Sequence, residues 1–389
     1  MSRPSAKTKV LVISSDSCME SAMNNKPTKK NFNSLVWVLL VLRMLLAAVS
    51  AQAQQPAPGT YTKIDFPGAT DTAECCSAIL NINNEGQIVG GYLDTSGTGH
   101  GFFLDDGRFT TINFRGSIYT EALGINVQSR IVGEYLDTAN VSHGFLLKQH
   151  VFQTIDFPGA LNTFVNWINS ANDMVGGYMD AAGSFHGLLV RAGAMHSFDF
   201  PGASNTFGLG INAGGEIVGI YLDSSALNAH GFLLTKGKFH TLDFPGANTS
   251  AAACNLLGGG VAYTAGISDG GVIVGGYCGT DDQLHGFLFT GAESLASDAA
   301  PKPSAFRTIN FPDAINSFAG GINSEGQIVG GYESADGHYH GFLLSDSDVE
   351  SLIAPATTQL TSRPQFLTPS SIHRTASSVT RLRRIELVK

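Results

Sequence analysis

Hydrophobic and polar positions alternate in a pattern that returns at a nearly fixed interval along most of the chain. One unit, residues 122–160, reads "ALGINVQSRIVGEYLDTANVSHGFLLKQHVFQTIDFPGA". It contains four short apolar segments, "ALGIN", "IVGEY", "HGFLL" and "VFQTIDF", which are separated by polar turns. Segments of this length and alternation are typical of strands, and "PGA" then ends the unit because proline and glycine interrupt strands. Each unit therefore predicts four antiparallel strands.

The unit occurs six times. The histidines of "HG" are spaced by 43, 43, 44, 55 and 55 residues, and the two longer intervals contain the insertions 248–261 and 291–305. A four-stranded repeat of this size matches one blade of a β-propeller. A helical repeat would show apolar spacings of three and four, a β-helix coil would not need two hairpins, and a β-sandwich would not repeat so literally.

The strand count predicts how the repeat closes. The fourth-strand phrase appears once at the start, as "YTKIDF" in residues 61–66, and none follows the last "HGFLL", residues 340–344. We therefore expect an all-β fold, a six-bladed β-propeller of four-stranded blades with the ring closed by the N-terminal strand. That strand would lie outermost in the blade formed by residues 318–344, and closure would remove two exposed sheet edges.

Three segments follow from composition. Residues 1–53 read as an export signal with a long n-region, because "KPTKKNFN" precedes an apolar run and the small-residue site "AQA". We expect cleavage near Gln54, with an uncleaved anchor helix as the alternative, and Met23 as an alternative start. Residues 54–348 form the six-repeat propeller, and residues 349–389 form a flexible Ser/Thr-rich basic tail. The predicted localisation is secreted or cell-surface, with the periplasm as an alternative.

Net charge and cysteine content limit the ligands, metals and cofactors that the chain is expected to bind. Residues 54–348 contain ten Lys/Arg and twenty-eight Asp/Glu, a net charge of −18, which argues against nucleic acid. Four cysteines remain after the signal, namely Cys75, Cys76, Cys254 and Cys278. They allow three disulfide connectivities. No CxxC pair is present, so we expect neither a metal site nor a cofactor.

The repeat also resembles a known family. Its pattern "GINxxGxIVGxYxDxxGxxHGFL" resembles the bacterial extracellular repeats named after His-Ala-Phe, with glycine in place of alanine in every copy. The resemblance covers residues 61–348. It implies a secreted or surface β-propeller, and it implies no general catalytic activity or ligand.

The repeated histidines are candidates for chemistry, and four of them follow an aspartate by six or seven residues. Histidine beside aspartate suits acid–base catalysis or metal binding. A residue present in every unit more simply serves what every unit needs, which here is a hydrogen bond that fixes the turn before the third strand. We therefore assign a structural role to the six: His100, His143, His186, His230, His285 and His340.

Departures from the repeat are better candidates for a binding site. Trp167 stands where four other units have glycine, and it either contacts a ligand in the central channel or fills space between blades. Glu134 replaces the second glycine of "VGG", as a binding group or a solvated rim residue.

The predicted function is an exported binding or scaffold module for an extracellular glycan, peptide or surface protein, with no membrane contact after signal removal. The alternative is a polysaccharide hydrolase or lyase in the central funnel. An unmatched pair of acids about 5–10 Å apart in the funnel would favour the enzyme, and a channel filled by apolar side chains would count against it. No GxSxG, HExxH or phosphate-binding loop is present.

Overall fold

A computed structural model describes residues 59–69, 77–225, 228–248, 254, 262–295, 301–345 and 349. Five repeats contribute four strands each and the sixth contributes three, numbered here in chain order. The first strands are β2 (Ser77–Ile82), β6 (Tyr119–Ile125), β10 (Asn162–Ile168), β14 (Asn205–Ile211), β18 (Ala262–Ile267) and β22 (Asn316–Ile322). The second strands are β3 (Ile88–Leu93), β7 (Ile131–Leu136), β11 (Met174–Met179), β15 (Ile217–Leu222), β19 (Ile273–Cys278) and β23 (Ile328–Glu333).

The third strands are β4 (Gly99–Asp105), β8 (Ser142–Lys148), β12 (Phe185–Arg191), β16 (Ala229–Thr235), β20 (Leu284–Phe289) and β24 (Tyr339–Ser345). The fourth strands are β5 (Arg108–Ile112), β9 (Val151–Ile155), β13 (Ala194–Phe198), β17 (Lys238–Thr241) and β21 (Phe306–Ile309), and β1 (Thr60–Ile64) takes this place beside β24. A short helix, α1 (Ala292–Leu295), and a 3₁₀ turn (Pro303–Ala305) lie between β20 and β21. Units 1 to 6 below follow the order of the first strands.

The strands form a β-propeller arrangement of four-stranded blades. Four blades are separate sheets, β10 to β13, β14 to β17, β18 to β21, and β22–β23–β24–β1. The prediction of six four-stranded blades is met as a separate sheet by four of them, because the strands of units 1 and 2 share one eight-stranded sheet. The cause is one parallel bridge between Gly99 of β4 and Tyr119 of β6. Gly99 permits it, because a Cβ there would lie 2.0 Å from atoms of the Tyr119 ring.

The first described strand and the last strand lie side by side. β1 pairs with β24 in antiparallel register from Thr60↔Ser345 to Ile64↔Gly341. The Tyr61 ring packs against Phe311 and Phe342, with centroid distances of 5.5 and 5.6 Å. The beginning and the end of the repeat region therefore complete one blade together.

Close strand packing explains the glycine of "IVG". A Cβ on Gly133 would lie 1.9 Å from the backbone oxygen of Glu121, and one on Gly219 would lie 2.0 Å from that of Phe207. Any side chain here would push the first strand away. The phenylalanine of "HGF" fills the core on the neighbouring strand, and Phe145 and Phe232 are both 0% exposed.

The antiparallel order gives the blades two distinct edges. In unit 2, Tyr119 at the start of β6 pairs with Leu136 at the end of β7, which pairs with Ser142 at the start of β8. We call this the upper edge, where first and third strands begin and second and fourth strands end. The opposite, lower edge holds the turns from first to second strands. In the described part of the chain no helix is long and apolar enough to cross a membrane.

Candidate functional site

All six first strands line one cavity at the upper edge. It spans about 610 Å³ of space, including space open to solvent, and we call it the funnel. Each unit contributes the residue two places before its repeated isoleucine: Leu80, Leu123, Asn166, Leu209, Ala265 and Gly320. Tyr263, Leu284, Phe318 and Trp167 complete the wall. The described lining is therefore mostly apolar and contains no Asp or Glu.

Trp167 forms the floor of the funnel. Its side chain also lines a second cavity at the lower edge, so the indole separates the two. The ring reaches past unit 4 to unit 5, where its Cη2 lies 3.0 Å from the position of a Cβ on Gly266. The glycines at this position in four other units make room for it. Trp167 is only 7% exposed and packs with Ile211 and Phe232. It lies in the channel and fills it, and direct ligand contact stays a prediction.

Few polar atoms face the funnel, and two of them have no hydrogen-bond partner in the part of the protein that the structure describes. Asn166 Nδ2 donates to the Gly208 carbonyl at 2.7 Å, which leaves its Oδ1 without a protein donor among the described residues. Tyr263 is 7% exposed, and within the described part its hydroxyl has no hydrogen-bond partner. Burial raises the pKa of Tyr263, so the hydroxyl stays a neutral donor. The funnel therefore offers one acceptor and one donor inside an apolar wall.

A ladder of asparagines lies around the lower cavity. Each asparagine that follows the repeated isoleucine donates its Nδ2 to the backbone oxygen of the equivalent residue in the next unit. The bonds are Asn83 to Asn126 (3.0 Å), Asn126 to Asn169 (3.0 Å), Asn169 to Asn212 (2.9 Å), Asn212 to Ser268 (3.4 Å) and Asn323 to Asn83 (2.9 Å). Sequence reasoning missed this ladder, although the repeated Asn after "GI" was its signal.

The ladder is both a link between units and a cap on each turn. Asn126 Oδ1 accepts the backbone N–H of Gln128 and of Arg130, at 3.0 and 3.1 Å. Unit 5 departs from the pattern, because Ser268 replaces asparagine and its hydroxyl caps only the N–H of Val272. Among the described residues, therefore, unit 5 is the one that sends no such side-chain bond onward.

The six "HG" histidines are held at the upper edge between two loops. In unit 3, His186 Nδ1 lies 3.0 Å from Asp199 at the end of the fourth strand, and Nε2 lies 3.3 Å from Asp180 in the loop after the second strand. The ring stacks on Tyr178 at a centroid distance of 5.1 Å. The Nδ1 partners of the other histidines are Asn113, Asp156, Asp243, Asn310 and Asp65. We call each arrangement a histidine clamp.

Hydrogen bonds at the clamps lower the pKa of Asp94, Asp137 and Asp180 and raise the pKa of His230. The pKa of Asp180 lies below its ordinary value because the Ser184 N–H and His186 donate to it. Burial acts in the opposite direction at Asp94, but hydrogen bonds from His100, Ser96 and Thr98 outweigh it and lower that pKa. The hydrogen bond to Asp243 raises the pKa of His230. No group of three or more His, Cys, Asp or Glu side chains in the described part could hold a metal ion.

Glu134 lies in the interior and not on the solvated rim. It is 0% exposed, and the Ser142 hydroxyl donates to its Oε2 at 2.8 Å. Directly across the strand pair lies Glu121, which is 5% exposed and accepts from the Tyr119 hydroxyl at 2.8 Å. Sequence reasoning missed Glu121, which takes the place of an aromatic residue in four other units. Neither glutamate is among the described residues that line the funnel, to which unit 2 contributes Leu123.

A disulfide ties the insertion between units 4 and 5 to the wall. Cys254 and Cys278 are bonded, and Cys254 packs against the apolar cluster that includes Tyr263 and Leu284 of the funnel. Cys254, the described residue of the insertion 248–261 beyond Asn248, thus lies beside the funnel. Cys75 and Cys76 lie outside the described residues, so their pairing stays open.

Comparison with known proteins gives distant structural similarity only. No family model and no curated protein matches the chain. The chain is similar to a Trypanosoma rangeli sialidase, with a TM-score of 0.45 and 9% identity over 77% of this chain and 60% of that one. A fucose-specific lectin from Aleuria aurantia gives a TM-score of 0.42 and 12% identity over 69% and 95%. TolB from Acinetobacter baumannii gives 0.41 and 10% over 69% and 63%.

These similarities are distant in both sequence and structure. The chain spans about three-fifths of the length of the sialidase, and at such identities and TM-scores no ligand or activity is transferred. The resemblance to the His-Ala-Phe repeats stays a prediction.

Proposed function

We propose that this chain is an exported six-bladed β-propeller that works as a binding module, with the funnel as its ligand site. The observation that carries the proposal is the funnel wall. Binding sites are concave, mostly apolar and equipped with a few placed polar groups. The funnel has this composition, with Asn166 and Tyr263 as its polar groups.

Two observations support six blades in a closed ring. The eight-stranded sheet contains two sets, β2 to β5 and β6 to β9, each with the same antiparallel order as the separate blades, and one residue pair joins them. The second is the contact between units 6 and 1. Asn323 Nδ2 donates to the Asn83 carbonyl, as each internal asparagine does to its neighbour, and β1 supplies the fourth strand of unit 6.

Export rests on the basic and apolar segments within residues 1–53, which lie outside the described residues. The Cys254–Cys278 disulfide agrees with it, because disulfides persist in oxidising compartments. On this basis we assign the chain to the secreted or cell-surface repeats that its sequence resembles, with a glycan, peptide or surface protein as ligand.

The binding role is favoured over hydrolysis by the distribution of acids. A two-carboxylate glycosidase needs both acids in contact with the sugar. The one cross-strand acid pair noted above, Glu121 and Glu134, is 5% and 0% exposed. Carboxylates enclosed to this degree do not flank a polymer.

The proposal is tested by filling the funnel. Ala265 is half-buried in the funnel wall, so Ala265→Phe places a ring in the cavity without disturbing the asparagine ladder. The full chain and this variant are screened against arrays of glycans and peptides, with unchanged melting temperature as the folding control. We expect ligands of the parent to lose at least about tenfold in affinity. Ligands that bind both proteins equally would place the site elsewhere.

A further inference from the structure

The upper edge, where the funnel opens, is strongly acidic. It carries aspartates after the second strands and after the fourth strands: Asp94, Asp137, Asp180, Asp223, Asp281, Asp65, Asp156, Asp199 and Asp243. Of the ten Lys and Arg between residues 54 and 348, two lie at this edge. They are Lys63, which pairs with Asp65 at 3.1 Å, and Arg115. The lower edge, by contrast, mixes bases with acids: Arg130, Lys148, Arg191, Lys236 and Lys238 lie there beside Glu85, Asp105, Asp106, Asp173, Glu216, Asp269 and Glu325.

These aspartates are accessible although they belong to histidine clamps. The side chains of Asp156 and Asp199 are 49% and 50% exposed. Asp156 meets His143 through Oδ1, so its other oxygen can accept a hydrogen bond from a ligand. Aspartates of this kind are ionised at neutral pH. The face around the funnel therefore attracts cations and repels anionic polymers.

The centre of this acidic face is apolar. The funnel is walled by Leu80, Leu123, Leu209 and Phe318. Beside it, at the starts of β6 and β10, Ile118 and Leu161 are 43% and 48% exposed. The Tyr263 hydroxyl and Asn166 Oδ1 have no protein partner among the described residues, although both side chains are more than nine-tenths buried. Both atoms keep some accessible surface, so each can exchange a hydrogen bond with a group or a water bound in the funnel.

We propose that the funnel face binds a basic peptide segment, with one Leu- or Phe-sized side chain in the funnel and flanking Lys or Arg on the aspartates. This inference rests on the proposed binding function and names its ligand. An apolar anchor matches the wall, and the peptide's backbone N–H and C=O match the Asn166 oxygen and the Tyr263 hydroxyl. A neutral sugar fits less well, because its hydroxyls need more partners than these two, and the indole face that would stack on it is nearly covered.

Intrinsic fluorescence reads occupancy of the funnel directly. The chain has two tryptophans, Trp37 and Trp167. In the full chain with Trp37→Phe, all tryptophan emission therefore comes from the funnel floor. We would titrate this protein with four probes: acetyl-Lys-Arg-Leu-Arg-Lys-amide, its Gly-centred analogue, its Glu-flanked analogue, and a panel of methyl glycosides.

The Leu-centred basic peptide is expected to change Trp167 emission and to bind at least about tenfold more tightly than the Gly-centred and Glu-flanked peptides. Its affinity should fall by about tenfold between 50 and 500 mM salt, because the exposed charge pairs are screened. Asp156→Asn with Asp199→Asn should weaken it about fivefold. The charge-matched control, Asp105→Asn with Asp106→Asn at the lower edge, should leave it unchanged.

The outcomes separate this inference from the proposed function. Glycosides that bind in the funnel while all peptides fail would overturn the basic-peptide ligand and leave the binding function standing. Equal affinity for the Leu- and Gly-centred peptides, or equal effects of the two double substitutions, would also overturn it. If the Ala265→Phe variant bound every ligand of the parent as tightly as the parent does, the funnel would not be the binding site, and the proposed function would fall with it.

Discussion

The two ends of the channel are built from neighbouring positions of the same strands, yet they differ in how strictly they repeat. At the lower end, five of six units place the same asparagine in the same hydrogen bond to the next unit. At the upper end, the position two residues before the isoleucine changes from leucine to asparagine, alanine or glycine. Repeated positions hold the units together, whereas varied positions shape a cavity. On the proposed function, the repeated positions form the scaffold and the varied positions form the binding site.

The largest expected effect comes from removing a repeated element. Deleting Gln54 to Ala69 removes β1, leaves an edge of β24 unpaired and uncovers Phe311 and Phe342. We expect the melting temperature, followed by circular dichroism, to fall by more than about 10 °C, since such a loss exceeds that of a single contact. Lys63→Ala on the exposed side of β1 is the control and should change little. A deletion variant that melts like the parent would refute the proposed closure of the ring.

A smaller loss is expected from one step of the ladder. Asn126→Ala removes the bond to Asn169 and the caps of two backbone N–H groups, so we expect a loss of about 3 kcal/mol in the free energy of unfolding. The matched substitution at the upper end, Asn166→Ala, removes one bond to Gly208 and should cost about 1 kcal/mol. Urea titration measures both. Equal losses in the free energy of unfolding would contradict the idea that the lower end stabilises the fold more than the upper end does.

Acid should weaken the upper edge. The pKa values of Asp94, Asp137 and Asp180 are lowered in the folded state. Their contribution is therefore complete above the unfolded value, near 3.9, and is lost as the pH falls through the folded values. The pKa of His230 is raised, so its contribution is present below about pH 6.5 and is lost as the pH rises through its folded value.

The melting temperature should therefore be highest near pH 5–6, fall steeply below about pH 4, and fall slightly above neutrality. Asp180→Asn should reduce the acid dependence, because one of the depressed carboxyls is gone. A melting temperature that rises between pH 4 and pH 3 would show that the clamps do not stabilise the fold.

The smallest expected effect is a gain. Ser268→Asn supplies the missing side chain of unit 5, whose Nδ2 would donate to the Asn323 carbonyl as its counterparts do. We expect about 1 kcal/mol of added stability, a rise of about 2–4 °C in melting temperature by scanning calorimetry. A lower melting temperature would mean that unit 5 cannot adopt the geometry of the ladder.

The sequence predicted the parts of this molecule that depend on local pattern. Alternation and turn residues place the strands, and a missing fourth strand after residue 344 leads to the pairing with β1. Contacts between units do not follow from the local pattern of apolar and turn residues. The bridge at Gly99 depends on the backbone approach that Tyr119 makes from the next unit. The pairing of Glu121 with Glu134 needs the strand register, and the reach of Trp167 to Gly266 needs the curvature of the whole arrangement.

The most direct test of the account compares one substitution at each end of the channel in two assays. Asn126→Ala and Ala265→Phe are each placed in the Trp37→Phe chain, and both the melting temperature and the affinity for acetyl-Lys-Arg-Leu-Arg-Lys-amide are measured. We predict that Ala265→Phe weakens binding at least about tenfold and changes the melting temperature by less than about 2 °C. Asn126→Ala should lower the melting temperature by about 6 °C or more and leave the affinity of the folded protein unchanged. If Ala265→Phe left the affinity intact, or if Asn126→Ala changed affinity more than stability, the division between scaffold and site would be contradicted.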